Sequence, residues 1–406
     1  MVSPYLPDAE RLDAVRQALP ATSAGIYLNT GTAGPIPAEM GAAMAEYADR
    51  ELTVGRGHPD SFADLMDRLD EARGTMAALL ASDPDRVAVV KGTHHGMNVA
   101  SFAPDWRKGG VAVTTTEEHP AALGPLFVLR DQWGVDVRFV GLEGLDDDSI
   151  VAAFDAAIAD DTSLVSVSHV SWMTGRVVPV ARIAAIAHER GALVAIDGAQ
   201  AAGAIPVVPD ALGADFYAFA GQKWLLGPEG LGGLWASPRA TAEARQVLAG
   251  YTSFEDPATG RLWPTARRFE YDMVHRPSVV GLARSIGWMS MFIGLDWIYA
   301  RGRAMAVRAV DLLGAIPGVT ILTPTDAMAT LVTFRIEGWP AADAFEELSA
   351  RIFLIARTIP PLDALRISPA FFTTEAELDA LAEGVELLAR HRPDTLPSRR
   401  TLSILG

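Results

Sequence analysis

Two residues 26 positions apart carry the most telling chemistry in this chain: Asp197 in LVAIDGA and Lys223 in FYAFAGQKWLLGPEG. Each follows a short apolar run of the kind that forms a buried strand. Of the 34 basic residues only Lys91, Lys108 and Lys223 are lysines. Arginine, which supplies the rest of the positive charge, stays protonated and cannot serve as an amine nucleophile. A lysine set beside Trp224, Leu225 and Leu226 is therefore informative. In an apolar, partly dry site its charged form is disfavoured, and the neutral amine becomes available to form Schiff bases. A carboxylate such as Asp197, placed against a pyridine nitrogen, keeps that nitrogen protonated and makes the ring an electron sink, the arrangement expected for pyridoxal phosphate. Singly, Lys223 reads as a surface lysine and Asp197 as a helix cap. Together, at successive strand ends, they favour the Schiff-base reading.

A phosphate-bearing cofactor also needs backbone donors at a helix start. KGTHHGMN offers a strand, a glycine turn and a helix beginning near Thr93, with His94 and His95 beside it. Adjacent histidines point apart and no carboxylate is spaced to complete a metal site, so no metal is expected. His119 in TTTEEHPAAL is suited to stack on a cofactor ring and move protons at physiological pH, although alone it reads as a histidine at a helix start. GPEGLGG is no nucleotide loop, because it lacks the Gly-Lys-Ser/Thr element and leads into a strand.

The elements that must position these residues alternate along the chain. Apolar runs at 87–92, 111–116, 135–142, 164–170, 193–199, 216–220 and 232–237 are separated by Ala-rich amphipathic segments such as PVARIAAIAHERGA. This pattern predicts an α/β fold with a mostly parallel, seven-stranded, doubly wound sheet over 25–277. The candidate residues follow strand ends, where open α/β sheets bind ligands. From 278 to 406 the chain reads as helices, two or three strands (VTILTP, ATLVTFRIEG, ALRISP) and a closing helix from Glu375. With residues 1–24 this predicts a smaller α+β domain.

Composition narrows the partners. A net charge of −16 with no basic stretch argues against nucleic acid or an anionic membrane surface. The absence of cysteine removes disulfides, thiolate metal sites and cysteine nucleophiles. With no signal-peptide pattern and no apolar run approaching a membrane span, a cytoplasmic enzyme acting on small molecules is expected.

The ordered run VKGTHHGMN, TTTEEHPAAL, SHVSWMTG, VAIDGAQAAGAIPV, FAGQKWLLGPEGLGGLW and RRFE resembles the class V aminotransferase family, pyridoxal-phosphate enzymes of fold type I that include the cysteine desulfurases. The resemblance makes Lys223 the Schiff-base lysine, Asp197 the pyridinium partner, Gln200 the ring-hydroxyl contact and His119 the stacked histidine. Thr93, His94, His95 and Gln222 fall at cofactor-binding positions. It also implies a homodimer with shared active sites. The nearest likeness is to cysteine and cystine carbon–sulfur lyases, through Trp172, the Lys223–Trp224 pair and two arginines nine residues apart, Arg357 and Arg366. These arginines, with Asn29 and Trp172, are expected on the substrate side. Met173, Ala220, Gln222 and Met273 depart from the usual residues, which makes the cofactor contacts less polar than in typical members.

A desulfurase that forms an enzyme persulfide needs a thiol, and this sequence has none. The expected reaction is β-elimination on a cysteine S-conjugate, giving thiol, pyruvate and ammonia, in a natural-product pathway. Decarboxylating oxidative deamination, transamination and epimerisation fit the same residues. A lapsed enzyme serving as a binding or scaffold protein is the non-catalytic alternative.

Overall fold

The seven apolar runs become seven strands of one sheet. In the computed structural model, which describes residues 3–399, these are β1 (Val87–Val90), β2 (Val111–Thr115), β3 (Asp136–Val140), β4 (Thr162–Ser168), β5 (Leu193–Asp197), β6 (Phe216–Ala220) and β7 (Gly232–Ala236). Their order across the sheet is β1-β7-β6-β5-β4-β2-β3. Strands β2 to β6 pair in parallel, whereas β7 runs antiparallel to both β6 and β1. Parallel pairs need crossovers, and helices supply them: α1 (Thr93–Phe102) follows β1, and α2 (Pro120–Trp133) joins β2 to β3. Helical cover on both faces leaves β2, β5, β6 and β7 buried at every residue, apolar but for Thr114, Thr115 and Asp197 at carboxyl ends.

Packing divides the chain into two compact units. The sheet belongs to the unit comprising Ile36–Trp172 and Val177–Met291. Its core is built from Val90, Met97, Ala112, Leu126, Ala195, Phe216 and their neighbours. Helix Arg276–Gly287, which the sequence pattern groups with the small domain, packs here on helices Ala38–Val54 and Pro59–Leu79. It buries Val279, Leu282 and Ile286, while Gly281 lets Met44 approach.

The other unit comprises Met1–Pro35, Met173–Arg176 and Phe292–Gly406, of which residues 1–2 and 400–406 lie outside the described residues. It holds a four-stranded antiparallel sheet ordered Val319–Ile321, Val332–Ile336, Ala364–Ile367, Arg357–Ile359. Helices Leu295–Gly314, Ala341–Ile352 and Glu375–Ala389 bury Leu313, Leu348 and Val385 in the same core as Phe334 and Ile367. Residues Met173–Arg176 are stitched into this unit: Thr333 Oγ1 donates to the Met173 carbonyl at 2.6 Å, and Ala329 N donates to the Gly175 carbonyl at 3.1 Å. Among the described residues no single helix is long and apolar enough to cross a membrane.

Candidate active site

At the carboxyl ends of the strands lies a partly enclosed pocket lined by Thr93, His94, His119, Ser168, Trp172, Asp197, Gln200, Gln222 and Lys223 among others. A larger open depression of about 670 Å3 sits at the amino ends, lined by Val111, Asp136, Thr162 and Leu193, and holds none of these groups.

Lys223 is presented by a tightly built loop. After β6, Gly221 N donates to the Leu231 carbonyl at 2.9 Å and Gly227 N donates to the Gly221 carbonyl at 2.8 Å. Leu226 N donates back to the Lys223 carbonyl at 3.1 Å, with Leu226 held at φ +53. A leucine in the left-handed region is strained, and such strain persists where surrounding packing over-determines the backbone. Here Trp224, Leu225 and Leu226 are all buried, and Ser285 Oγ donates to the Leu225 carbonyl at 2.6 Å. The apolar neighbours of the lysine thus anchor the loop and leave Lys223 facing the pocket.

Asp197 ends β5, is 4% exposed, and accepts from Ala199 N at 2.9 Å. Burial pushes its carboxyl upward, opposed by the nearby positive charge of Lys223, by the Ala199 N–H and by His94. A cation brought against it would complete the charge balance. Gln200 lies on the same wall, its Oε1 accepting from Trp224 Nε1 at 2.9 Å.

His119 is the N-cap of α2. Its Nδ1 accepts from Ala121 N at 3.1 Å, which places the imidazole proton on Nε2. Its ring meets His94 and Trp172 edge to face at centroid distances of 6.0 Å and 5.2 Å. The phosphate turn is also present. Gly92, at φ +98, opens α1 without a side-chain cap, so the first N–H groups of the helix are available to an anion. Thr93 Oγ1 is buried there without a hydrogen-bond partner. An orphaned hydroxyl at an open helix start, a buried carboxylate and a lysine in one pocket fit pyridoxal phosphate.

Not every expected residue is in this pocket. His95 packs its ring against Tyr271 at 4.7 Å, accepts from Lys91 N at 3.3 Å, and is pushed down to about 4 by burial. Its neighbour His94 turns toward the pocket because successive helical residues point about 100° apart. Met273 is exposed, and Tyr251 packs its ring against Phe62 at 5.7 Å. Asn29, Arg357 and Arg366 belong to the other unit. There Arg357 and Arg366 are register partners on adjacent antiparallel strands, and each guanidinium lies 3.5 Å from Thr32 Oγ1. Asn29 bridges to Ser368, its Oδ1 buried without a hydrogen-bond partner, and its carbonyl accepts from Thr32 N at 2.9 Å. Sequence reading misses Thr32 and Ser168, common residues with no local signal; it places Glu118 at a strand end beside His119 but gives it no role.

Among the described residues no group of three or more His, Asp or Glu could hold a metal ion. The sequence pattern of the aminotransferase class-V family matches residues 26–381. The chain belongs to the class-V aminotransferase family. Enzymes of this family use pyridoxal phosphate, and this chain is similar to its cysteine desulfurases. It is 28% identical to a probable cysteine desulfurase of Methanothermobacter thermautotrophicus, over 93% of this chain and 98% of the relative. It is 30% identical to the isopenicillin N epimerase of Streptomyces clavuligerus, over 89% and 94%. Among solved structures, the cystine C-S lyase C-DES in complex with cysteine persulfide superposes with a TM-score of 0.85 at 24% identity, over 91% of this chain and 99% of that one. That likeness bears on the fold, which is fold type I.

Proposed function

We propose that this class-V enzyme is a carbon–sulfur lyase that eliminates a thiol from a cysteine S-conjugate, leaving pyruvate and ammonia after hydrolysis. The observation that carries the reading is the convergence of Lys223, Asp197, His119 and the Thr93 turn on one pocket, in a chain with no cysteine. The likeness to cysteine desulfurases supports a cysteine-derived substrate, and the missing thiol leaves no enzyme group to carry the sulfur away.

In this reading Thr93 and the open start of α1 would hold the cofactor phosphate, Asp197 would keep the ring nitrogen protonated, and Gln200 would serve the ring hydroxyl. Bound pyridoxal phosphate supplies an electron sink for charge developing at the substrate Cα. Lys223 would take the Cα proton. His119, whose Nδ1 is committed to Ala121 N, carries its proton on Nε2 and donates it to the departing sulfur. Arg366 and Arg357 bind the substrate carboxylate. Trp172 and His94 border the side-chain space.

We further propose that the protein works as a cytoplasmic homodimer. Exposed Leu52, Val247, Leu248, Tyr251 and Met273 supply apolar surface for a second copy. A role in natural-product biosynthesis draws on the isopenicillin N epimerase likeness, which also favours epimerisation as the second reading.

Incubating the holoenzyme with cysteine S-conjugates should release thiol and pyruvate in equal amounts. An aldehyde and carbon dioxide without pyruvate, or inversion at Cα with the carbon–sulfur bond intact, would overturn the lyase assignment.

A further inference from the structure

Glu118 lies immediately before His119 and is 4% exposed, yet the chemistry described so far gives it no task. Its Oε1 accepts from Thr115 Oγ1 at 2.7 Å and from Ser168 N at 3.0 Å. The Thr115 hydroxyl in turn accepts from Glu117 N at 3.2 Å, which directs its proton to Glu118. Oε1 is therefore fixed as an acceptor. Oε2 lies 2.5 Å from Ser168 Oγ, and there the proton has two arrangements, because a hydroxyl both donates and accepts. Ser168 lines the Lys223 pocket and is the register partner of Asp197.

We infer that Glu118 and Ser168 form a polarity switch in the wall of the cofactor pocket. With Glu118 ionised, the Ser168 hydroxyl donates to it and offers only lone pairs to the pocket. With a proton on Glu118 Oε2, the carboxylic acid donates to Ser168 Oγ, and the Ser168 O–H is released to donate into the pocket. The gained proton comes from solvent, and no other bond is made or broken. The same contacts tie the turn carrying His119 to the end of β4, so Glu118 acts as a positioning residue for two pocket walls. This inference rests on the Lys223 pocket being the cofactor site.

Burial pushes the Glu118 carboxyl up to about 7, with Asp197 on β5 adding in the same direction and the Ser168 and Thr115 donors opposing. The other ionisable groups nearby are His119, the next residue, with Asp197, Glu117 and His169. Asp197 itself faces Lys223 after β6 and His94 on α1. Glu117 accepts from Ser171 Oγ at 2.5 Å. His169, beside Ser168, is pushed down to about 4 by burial and contacts the Tyr217 hydroxyl at 3.0 Å.

Infrared difference spectra of the holoenzyme, taken one pH unit either side of about 7, should show loss of a protonated-carboxyl band on the alkaline side. That change should be absent from Glu118→Gln, whose amide keeps donating to Ser168 Oγ. The visible cofactor band should shift in the same step in the wild type and lose that shift in Ser168→Ala, which retains the backbone N–H donor. A wild-type infrared change persisting in Glu118→Gln would overturn the assignment. So would an unaltered visible shift in Ser168→Ala. Whether the visible band disappears in Lys223→Ala tests the underlying cofactor reading separately.

Discussion

Arg357 and Arg366 stand directly opposite each other across two antiparallel strands. Two like charges in register repel, and Arg366 is fully buried, so burial together with Arg357 pushes its guanidinium down to about 9. The hairpin thus concentrates positive charge where a carboxylate would relieve it, and Thr32 adds a hydroxyl between the two forks.

Replacing Arg366 by lysine keeps the charge but removes bidentate geometry. For a charged hydrogen bond of about 1.5–3 kcal/mol, kcat/KM should fall about 10- to 100-fold. The loss should appear mainly as a raised KM in steady-state assays. Carboxylate substrate analogues should raise the Tm of the wild type more than that of Arg366→Lys. Equal shifts would remove this pair from substrate binding.

His119→Asn is the informative change at the proposed general acid. Asparagine can still cap α2 by accepting from a backbone N–H, so Tm should stay near that of the wild type. The Nε2 proton is lost, however, and thiol release should slow by about 10²- to 10⁴-fold, the usual range for a general acid. Substrates whose sulfur leaves as an already stable anion should be affected less. A uniform loss across leaving groups would contradict the acid role.

Much of this arrangement is legible in the sequence because the fold converts strand order into proximity. Each apolar run becomes a strand, and residues just beyond the carboxyl ends converge, which is why His119, Asp197, Gln200 and Lys223 share one pocket. The reversed direction of β7 is invisible, since an apolar run carries no sense of direction. The place of Glu118 at a strand end is legible but its burial is not, because that depends on Ser168, fifty residues away, and not on any local pattern. The return of Met173–Arg176 to the smaller unit likewise rests on Thr333 and Ala329, far along the chain.

Glu118 also leaves a signature in stability. Folded Glu118 holds its proton up to about 7, whereas its ordinary value is 4.5. Between these values the folded state binds the extra proton, so Glu118 stabilises the fold fully below the lower value and loses that contribution as pH rises through the upper one. The full change is on the order of 3 kcal/mol. Urea unfolding at about pH 5 and about pH 8 should therefore show a drop in the wild type that is largely missing in Glu118→Gln. An equal drop in both proteins would place the proton elsewhere.

We propose that Lys223 would hold the cofactor and serve as the base once substrate binds. With only three lysines in the chain, Lys91, Lys108 and Lys223, it can be tested at single-residue resolution. Borohydride reduction of the holoenzyme followed by peptide mass mapping should place the reduced cofactor on the peptide containing Lys223 and nowhere else. Label on Lys91 or Lys108, or no stable label on a protein that retains activity, would contradict it.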